Sequence, residues 1–369
     1  MSERIVDEFL ELVKIDCCFG DERGVADALI GKLKEMGCTV TEDDTGAKVG
    51  GNAGNVTGIL EGTRPGSILF TSHMDRVQNG YGIKPQFTDD GRITSDGTTV
   101  LAADDLSGVA AILDGVRRIQ ASGVPYPRIE IVFTVGEEPQ LRGSRHYDFT
   151  QLQSKLGFAL DSPGRIGRVV NAAPSTAQLY YDVYGKSAHA GNAPEKGINA
   201  LVVSSKILAS INEGRLDPES TANFAICSAG NATNVVCDHV HVEGETRSSC
   251  HEKMEAYCEY FEKFCHDTVE GTGAKIDTRV DKVYRCFRVD ENSATINLMR
   301  KVFGEMGIEM TVERGGGGMD ANRLNEHGVE CVGLATGYAQ NHTPNEYVYV
   351  DDLIKSGEMV QKIILNYEA

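Results

Sequence analysis

Residues 131 to 138 read Ile-Val-Phe-Thr-Val-Gly-Glu-Glu, a stretch that leaves few choices of fold. A short run of β-branched and aromatic residues closed by glycine is the pattern of a parallel strand buried on both faces. It runs out into two adjacent carboxylates, Glu137 and Glu138. Acids at a buried strand end are costly unless a cation binds there or one of them transfers protons. The strand therefore predicts both an α/β sheet and a charged site at its carboxyl edge.

The chain before it fits that frame. Helical periodicity runs over residues 3–15 and 22–36, and short strands are predicted at 38–42, 55–60 and 67–71. The last of these delivers Ser-His-Met-Asp at its exit. A Gly- and Asp-rich loop (79–98) leads to a turn and a helix from about Asp105 to Gln120, with Asp104 just before its positive end. The 129–135 strand follows, then a helix from about Gly143 and a strand over 157–160 that reaches Asp161. Strands alternating with helices predict a mixed, largely parallel sheet flanked by helices.

From residue 174 the texture changes to alternating, half-exposed strands: β near 178–184, α over 197–212, β near 221–229 and 239–247, α over 250–268, and β near 274–282. That order, βαββαβ, is an α+β ferredoxin-like unit. After residue 290 the first texture returns with a helix (293–306), a glycine tract, a strand (329–334) and a closing helix. The expectation is a discontinuous α/β domain, 1–173 with 289–369, and an inserted domain, 174–288.

At 369 residues the chain suits two domains of common size. Its net charge of −18, without a basic run, argues against nucleic acid or an anionic membrane as partner. The N-terminal stretch is an amphipathic helix with acids among its apolar positions, unlike a secretion signal. No segment is apolar enough to span a membrane. Ten cysteines without a paired pattern point to reduced thiols and a cytoplasmic location. The sequons at Asn55, Asn231 and Asn341 then carry no glycosylation.

Five stretches place acids or histidines after a predicted strand or before a helix: His73 with Asp75, Asp104, Glu137 with Glu138, Asp161, and His342 within Asn-His-Thr-Pro-Asn-Glu. In open α/β sheets, sites form at the carboxyl ends of the strands. Nitrogen and carboxylate donors without cysteine suit zinc, and also manganese or cobalt, and five donors fit two ions sharing a carboxylate. Each stretch alone has a plainer reading. His-x-Asp recurs by chance, an adjacent Glu pair often opens a solvated helix, Asp104 or Asp105 reads as an N-cap, and Asp161 before Ser-Pro-Gly reads as an Asx-turn. Their common order is what points to a metal site.

That order resembles the co-catalytic di-zinc metallopeptidases, the family of peptidase T (tripeptide aminopeptidase), glutamate carboxypeptidase, succinyl-diaminopimelate desuccinylase and aminoacylase. The family pattern of His-x-Asp, Asp-Asp, Glu-Glu, Asp and a late His is matched by His73-Met74-Asp75, Asp104-Asp105, Glu137-Glu138, Asp161 and His342. The likeness extends to Gly-Lys-Ser-Ala-His-Ala-Gly (185–191), Ala-Thr-Asn-Val-Val (232–236) and Gly-Glu-Thr-Arg-Ser (244–248), and is strongest toward peptidase T. Leu106, Pro139 and Met319 depart from relatives at positions that bind no metal.

The resemblance implies a zinc exopeptidase-like catalytic domain with two Zn2+ per subunit, or Mn2+ or Co2+. His73, Asp104 and Asp161 would hold one ion, and Asp104, Glu138 and His342 the other. Asp75 would orient His73 through its second ring nitrogen, and a cis peptide would follow Asp104. Glu137 would be general base and then acid toward a metal-bridging water. His189 and Asn234 would stabilise an oxyanion across a homodimer, Arg247 would hold a substrate carboxylate, and the Gly315–Asp320 loop, with Gly317 and Asp320, would bind substrate. The implied activity is removal of the N-terminal residue of tripeptides or other short peptides. A carboxypeptidase or N-acyl-amino-acid amidohydrolase shares the same metal chemistry. A non-catalytic binding protein is the reading from another class.

Overall fold

The computed structural model describes residues 4–369. The chain divides into two compact units, Met1–Ala173 with Phe287–Ala369, and Pro174–Cys286.

The first unit is built on a mixed sheet whose strands run, in spatial order, Thr39–Glu42, Val56–Leu60, Arg128–Thr134, Ser67–His73, Leu156–Ser162, Glu330–Ala335, Arg168–Ala173 and Phe287–Arg288. The strands Arg128–Thr134, Ser67–His73, Leu156–Ser162 and Glu330–Ala335 pair in parallel. Every residue of Ser67–His73 is buried, which is why apolar residues (Ile68, Leu69, Phe70) follow one another without alternation and no acid, lysine or arginine falls within the strand. Register does the rest. His73 lies opposite Thr134, and Thr71 opposite Ala159, so three strands exit level with one another at one edge. That edge carries His73, the Glu137–Glu138 segment and Asp161.

The helix Ala103–Ser122 covers the sheet and packs on the closing helix Val350–Asn366. Glycines set their separation: a Cβ on Gly115 would come within 2.4 Å of Val360 Cβ, and one on Gly357 within 2.4 Å of Asp114 Oδ2. Asp104 (φ −81°, ψ 101°) and Asp105 (φ −121°, ψ 26°) are not helical, so the regular helix starts after them. The Asp104–Asp105 peptide is cis.

Several elements depart from the sequence reading. The 79–98 stretch, read as loop, contains the short strands Gln86–Phe87 and Arg92–Thr94. With Tyr338–Ala339 and Tyr347–Tyr349 they form a small antiparallel sheet. The hairpin loop between the last two carries His342. Arg168–Ala173, Thr311–Arg314 and the helix Asp320–Glu326 had no counterpart in the reading, and the helix at Gly143 is a single turn, Arg142–Arg145. Elements this short lack room for a periodic apolar signal. Phe287 and Arg288 pair with Ala173 and Ala172 in the central sheet.

The second unit is a five-stranded antiparallel sheet in the order Gly214–Asp217, Ser220–Ala229, His239–Ser248, Ser175–Tyr184 and Lys275–Tyr284. Without the short Gly214–Asp217 edge this is the βαββαβ topology expected from the pattern. Leu179, Tyr181, Val183, Val240 and Val242 alternate inward and meet Val203 and Ile207 of one helix and Met254 and Phe261 of the other. Both helices thus cover one face. Each fully buried aliphatic or aromatic side chain there contributes about 1.5–3 kcal/mol.

Candidate active site

The carboxyl edge of the central sheet brings together side chains from five distant segments. His73 Nε2, at the end of its strand, lies 3.1 Å from Asp104 Oδ1 and 4.0 Å from Asp161 Oδ1. His342 Nε2, from the hairpin loop, lies 3.3 Å from Asp104 Oδ2 and 3.0 Å from Glu138 Oε2. Asp104 therefore turns one oxygen toward each imidazole. Donor atoms cluster within 4.8 Å of one another in three overlapping sets: His73, Asp104 and Glu138; His73, Glu137 and Asp161; and Asp104, Asp105 and Asp161. A tetrahedral ion with bonds of about 2.0–2.2 Å has donor–donor edges of about 3.3–3.6 Å. The observed separations bracket that range, and the donors are all nitrogen and carboxylate oxygen. The side chains fit divalent cations.

The backbone that presents the two glutamates is held amide by amide. Val135 N donates to Asn55 Oδ1 (3.0 Å) and Gly136 N to Glu22 Oε1 (3.2 Å). Glu137 N and Glu138 N donate to the two oxygens of Asp75, at 2.9 and 3.2 Å. The expected contact of Asp75 with His73 takes a different form. His73 Nδ1 meets the main-chain oxygen of Asp75 at 3.0 Å and the nearer carboxylate oxygen at 3.4 Å, because that carboxylate is committed to the two amides. Asp75 thus touches the histidine segment and the glutamate segment together.

Other site contacts involve residues to which the sequence assigned no ligand or base role. Asn341 Nδ2 donates to Asp104 Oδ2 at 2.7 Å, and the Tyr338 hydroxyl to Asp161 Oδ1 at 3.1 Å. Asp105, wholly buried, takes the hydroxyl of Ser72.

Comparison with known proteins bears on this geometry. The M20 peptidase dimerisation domain matches residues 168–272, and peptidase family M28 matches residues 55–195. The aminopeptidase PepT of Bacillus cereus is 40% identical, with 98% of each chain covered and a TM-score of 0.89. The chain belongs to the M20 family of metallopeptidases. A tripeptidase of Staphylococcus aureus is 32% identical over 98% of this chain and 97% of its own, with a TM-score of 0.92. YqjE, an uncharacterised protein of Bacillus subtilis, is 38% identical over 98% of each chain.

In this M20 peptidase the charge balance of the site is lopsided. Burial, and then the charge of Asp161, push Glu137 and Asp105 well above the usual carboxylate range. Burial, and then Asp104, push Asp161 up, and burial raises Glu138. Asp104 is the exception. Burial opposes its ionisation, but hydrogen bonds from His342 and His73 hold it below its ordinary value. Hydrogen bonds to Asp104 and Glu138 push His342 up to about 10. Burial works against a charged His73, yet Asp104 and Asp75 raise it well above the ordinary imidazole value. So many acids crowded around two imidazoles keep their protons for want of positive charge, which divalent cations would supply.

The remaining expected residues make contacts of their own. Asp320, expected in an exposed substrate loop, opens the Asp320–Glu326 helix with its carboxylate buried against Thr134 Oγ1 (2.5 Å), while Gly317 sits in the half-buried turn before it. The hydroxyl at the strand end draws the carboxylate inward. In the second unit His189 is exposed, its Nδ1 accepting from Gly191 N and Asn192 N at 3.2 Å each. It lies beside Asn234, whose carbonyl accepts from Ala190 N at 3.0 Å. Arg247 makes a two-point contact with Glu245 on its own strand, at 2.8 and 3.0 Å.

Proposed function

We propose that this M20 peptidase is a cytoplasmic di-zinc aminopeptidase that releases the N-terminal residue of tripeptides and other short peptides. The observation that carries the reading is Asp104, one oxygen toward His73 and the other toward His342, with Glu137 and Glu138 beside it. His73, Asp104 and Asp161 would hold one ion, and Asp104, Glu138 and His342 the other. Bound there, the ions would supply Lewis acidity and lower the pKa of water. Glu137 takes the proton of the attacking water and returns it to the departing amine. Neighbouring side chains on an extended segment point to opposite sides, so Glu138 can ligate while Glu137 faces the reacting atoms. Asp75 fixes the two main-chain amides that aim them. His189 and Asn234 are assigned to the developing oxyanion, and Arg247 and Gly317 to the substrate. The names of the Bacillus cereus aminopeptidase and the Staphylococcus aureus tripeptidase support the substrate class.

A side-by-side assay checks that class. Ala-Ala-Ala should yield free alanine and Ala-Ala, while N-acetyl-alanine and an N-blocked tripeptide should be poor substrates. Cleavage confined to the acylated compounds would reject the aminopeptidase in favour of an amidohydrolase.

No helix among the described residues is long and apolar enough to cross a membrane. Homodimerisation through the second unit is part of the proposal. The outer edge of Ser220–Ala229 is paired only as far as Ala222 among the described residues. Ile226 on that strand is 55% exposed, and Leu201 (47%), Val202 (52%) and Val235 (45%) of the same unit are also exposed. An open, apolar strand edge is a pairing surface. Sedimentation should give twice the chain mass, and Ile226→Asp with Leu201→Asp should give the monomer. A wild-type monomer at micromolar concentration would count against a dimeric enzyme.

A further inference from the structure

Glu346 closes the hairpin loop that presents Asn341 and His342. Its side chain is 1% exposed, and among the described residues it makes no ion pair. Instead it accepts three main-chain amides from the turn ahead of the Ala103–Ser122 helix. Leu101 N and Ala102 N reach Oε2 at 2.8 and 2.9 Å, and Asp104 N reaches Oε1 at 2.9 Å. The turn is shaped for this. Ala102 sits at φ 62°, ψ 32°, in the left-handed region, and its amide converges with its neighbours' into a concavity that suits an anion. Burying a carboxylate is expensive, and charge-assisted hydrogen bonds, together with the field of the buried Arg76 guanidinium, offset that cost.

The consequence concerns Asp104. Glu346 and Asp104 stand 242 residues apart in sequence, yet they are joined twice. The Glu346 carboxylate holds the main chain of Asp104. The loop that Glu346 closes returns to the Asp104 side chain, through Asn341 Nδ2 (2.7 Å) and His342 Nε2 (3.3 Å) on Oδ2. Those contacts close a ring: main chain of Asp104, Glu346, the hairpin loop, and the carboxylate of Asp104. We infer that Glu346 is a positioning residue that sets the separation of the Asp104 and His342 donor atoms before any ion binds, an inference that rests on the di-metal reading above. A glutamine there would offer one acceptor oxygen and set an NH2 against at least one amide N–H. An aspartate would be a methylene too short to reach all three.

The test compares wild type, Glu346→Gln and Glu346→Asp, each stripped with chelator and then titrated with Zn2+ or Co2+. Both variants should bind metal about 10–100-fold more weakly at the weaker site. Their gain in melting temperature on metal addition should shrink, and the visible spectrum of the Co2+ form should change. A merely structural role would lower metal-free and metal-loaded melting temperatures together, leave affinity and spectrum unchanged, and overturn the inference. If wild type fails to take up two ions per chain, the di-metal reading itself is wrong. If neither variant folds, hydrogen exchange of the 101–104 amides in metal-free wild type decides. Protection there supports prior positioning by Glu346, and free exchange overturns it.

Discussion

Glu137→Gln should leave a folded, metal-loaded protein whose kcat on Ala-Ala-Ala is lower by about 10²–10⁴-fold, the span that positioned general bases contribute. Glutamine keeps the size and the main-chain contact to Asp75 but cannot accept the proton. Without ions, burial and the charge of Asp161 hold the Glu137 carboxyl well above its ordinary range, the kind of perturbed acid that marks a proton-transfer site. Glu138→Gln should fail differently. It removes a carboxylate 3.0 Å from His342 Nε2, so metal content should fall along with activity. Metal analysis of the purified variants beside kcat separates the two. A Glu137→Gln enzyme within a few-fold of wild type, with its ions in place, would reject the assignment of the base.

The same two residues show how far the sequence carries. Glu137 and Glu138 announce themselves because two acids end an apolar strand, and His73 and Asp161 do so for the same reason. Parallel register then brings these ends level without further information. What stayed hidden is the set of side chains that hold the ligand-bearing segments by hydrogen bonds. Asn55 and Asn341 read in the sequence only as sequons. Yet Asn55 is buried and accepts from Val135 N, and Asn341 donates to Asp104. Glu22 reads as the first residue of a predicted helix, although its carboxylate takes Gly136 N from 114 residues away. A hydrogen bond to an amide so distant leaves no spacing in the sequence to find. Asp320 makes a contact of the same hidden kind: the glycine tract suggested a substrate loop, and the carboxylate also takes the Thr134 hydroxyl from 186 residues away. Where a role depends on which amide or hydroxyl lies across the fold, residue type alone says little.

Removing the ions should abolish hydrolysis and also reverse the usual gain in stability toward neutral pH. In the metal-free protein Glu137, Asp105, Asp161 and Glu138 all hold protons above the ordinary carboxylate range. Their counterparts in the unfolded chain ionise at about 4. Between those values the native state binds more protons than the unfolded state, so its stability falls as pH rises. His342, raised to about 10, and His73, also raised, act in the same direction. Their contribution is complete below about 6.5 and is lost as pH climbs through the folded values. Asp104 works oppositely, but being held below its ordinary value it loses its contribution only under acid. The melting temperature of chelator-treated protein should therefore decline from about pH 6 to about pH 9. Divalent ions need their ligands deprotonated and displace these protons, so the stabilisation they bring should grow over the same interval. Thermal melts with and without Zn2+ at several pH values, read beside Ala-Ala-Ala turnover, check both halves. A metal-free melting temperature that stays flat or climbs from about pH 6 to about pH 9 would mean that these acids do not share one buried cluster, since separate, solvated carboxylates would be fully ionised throughout that interval.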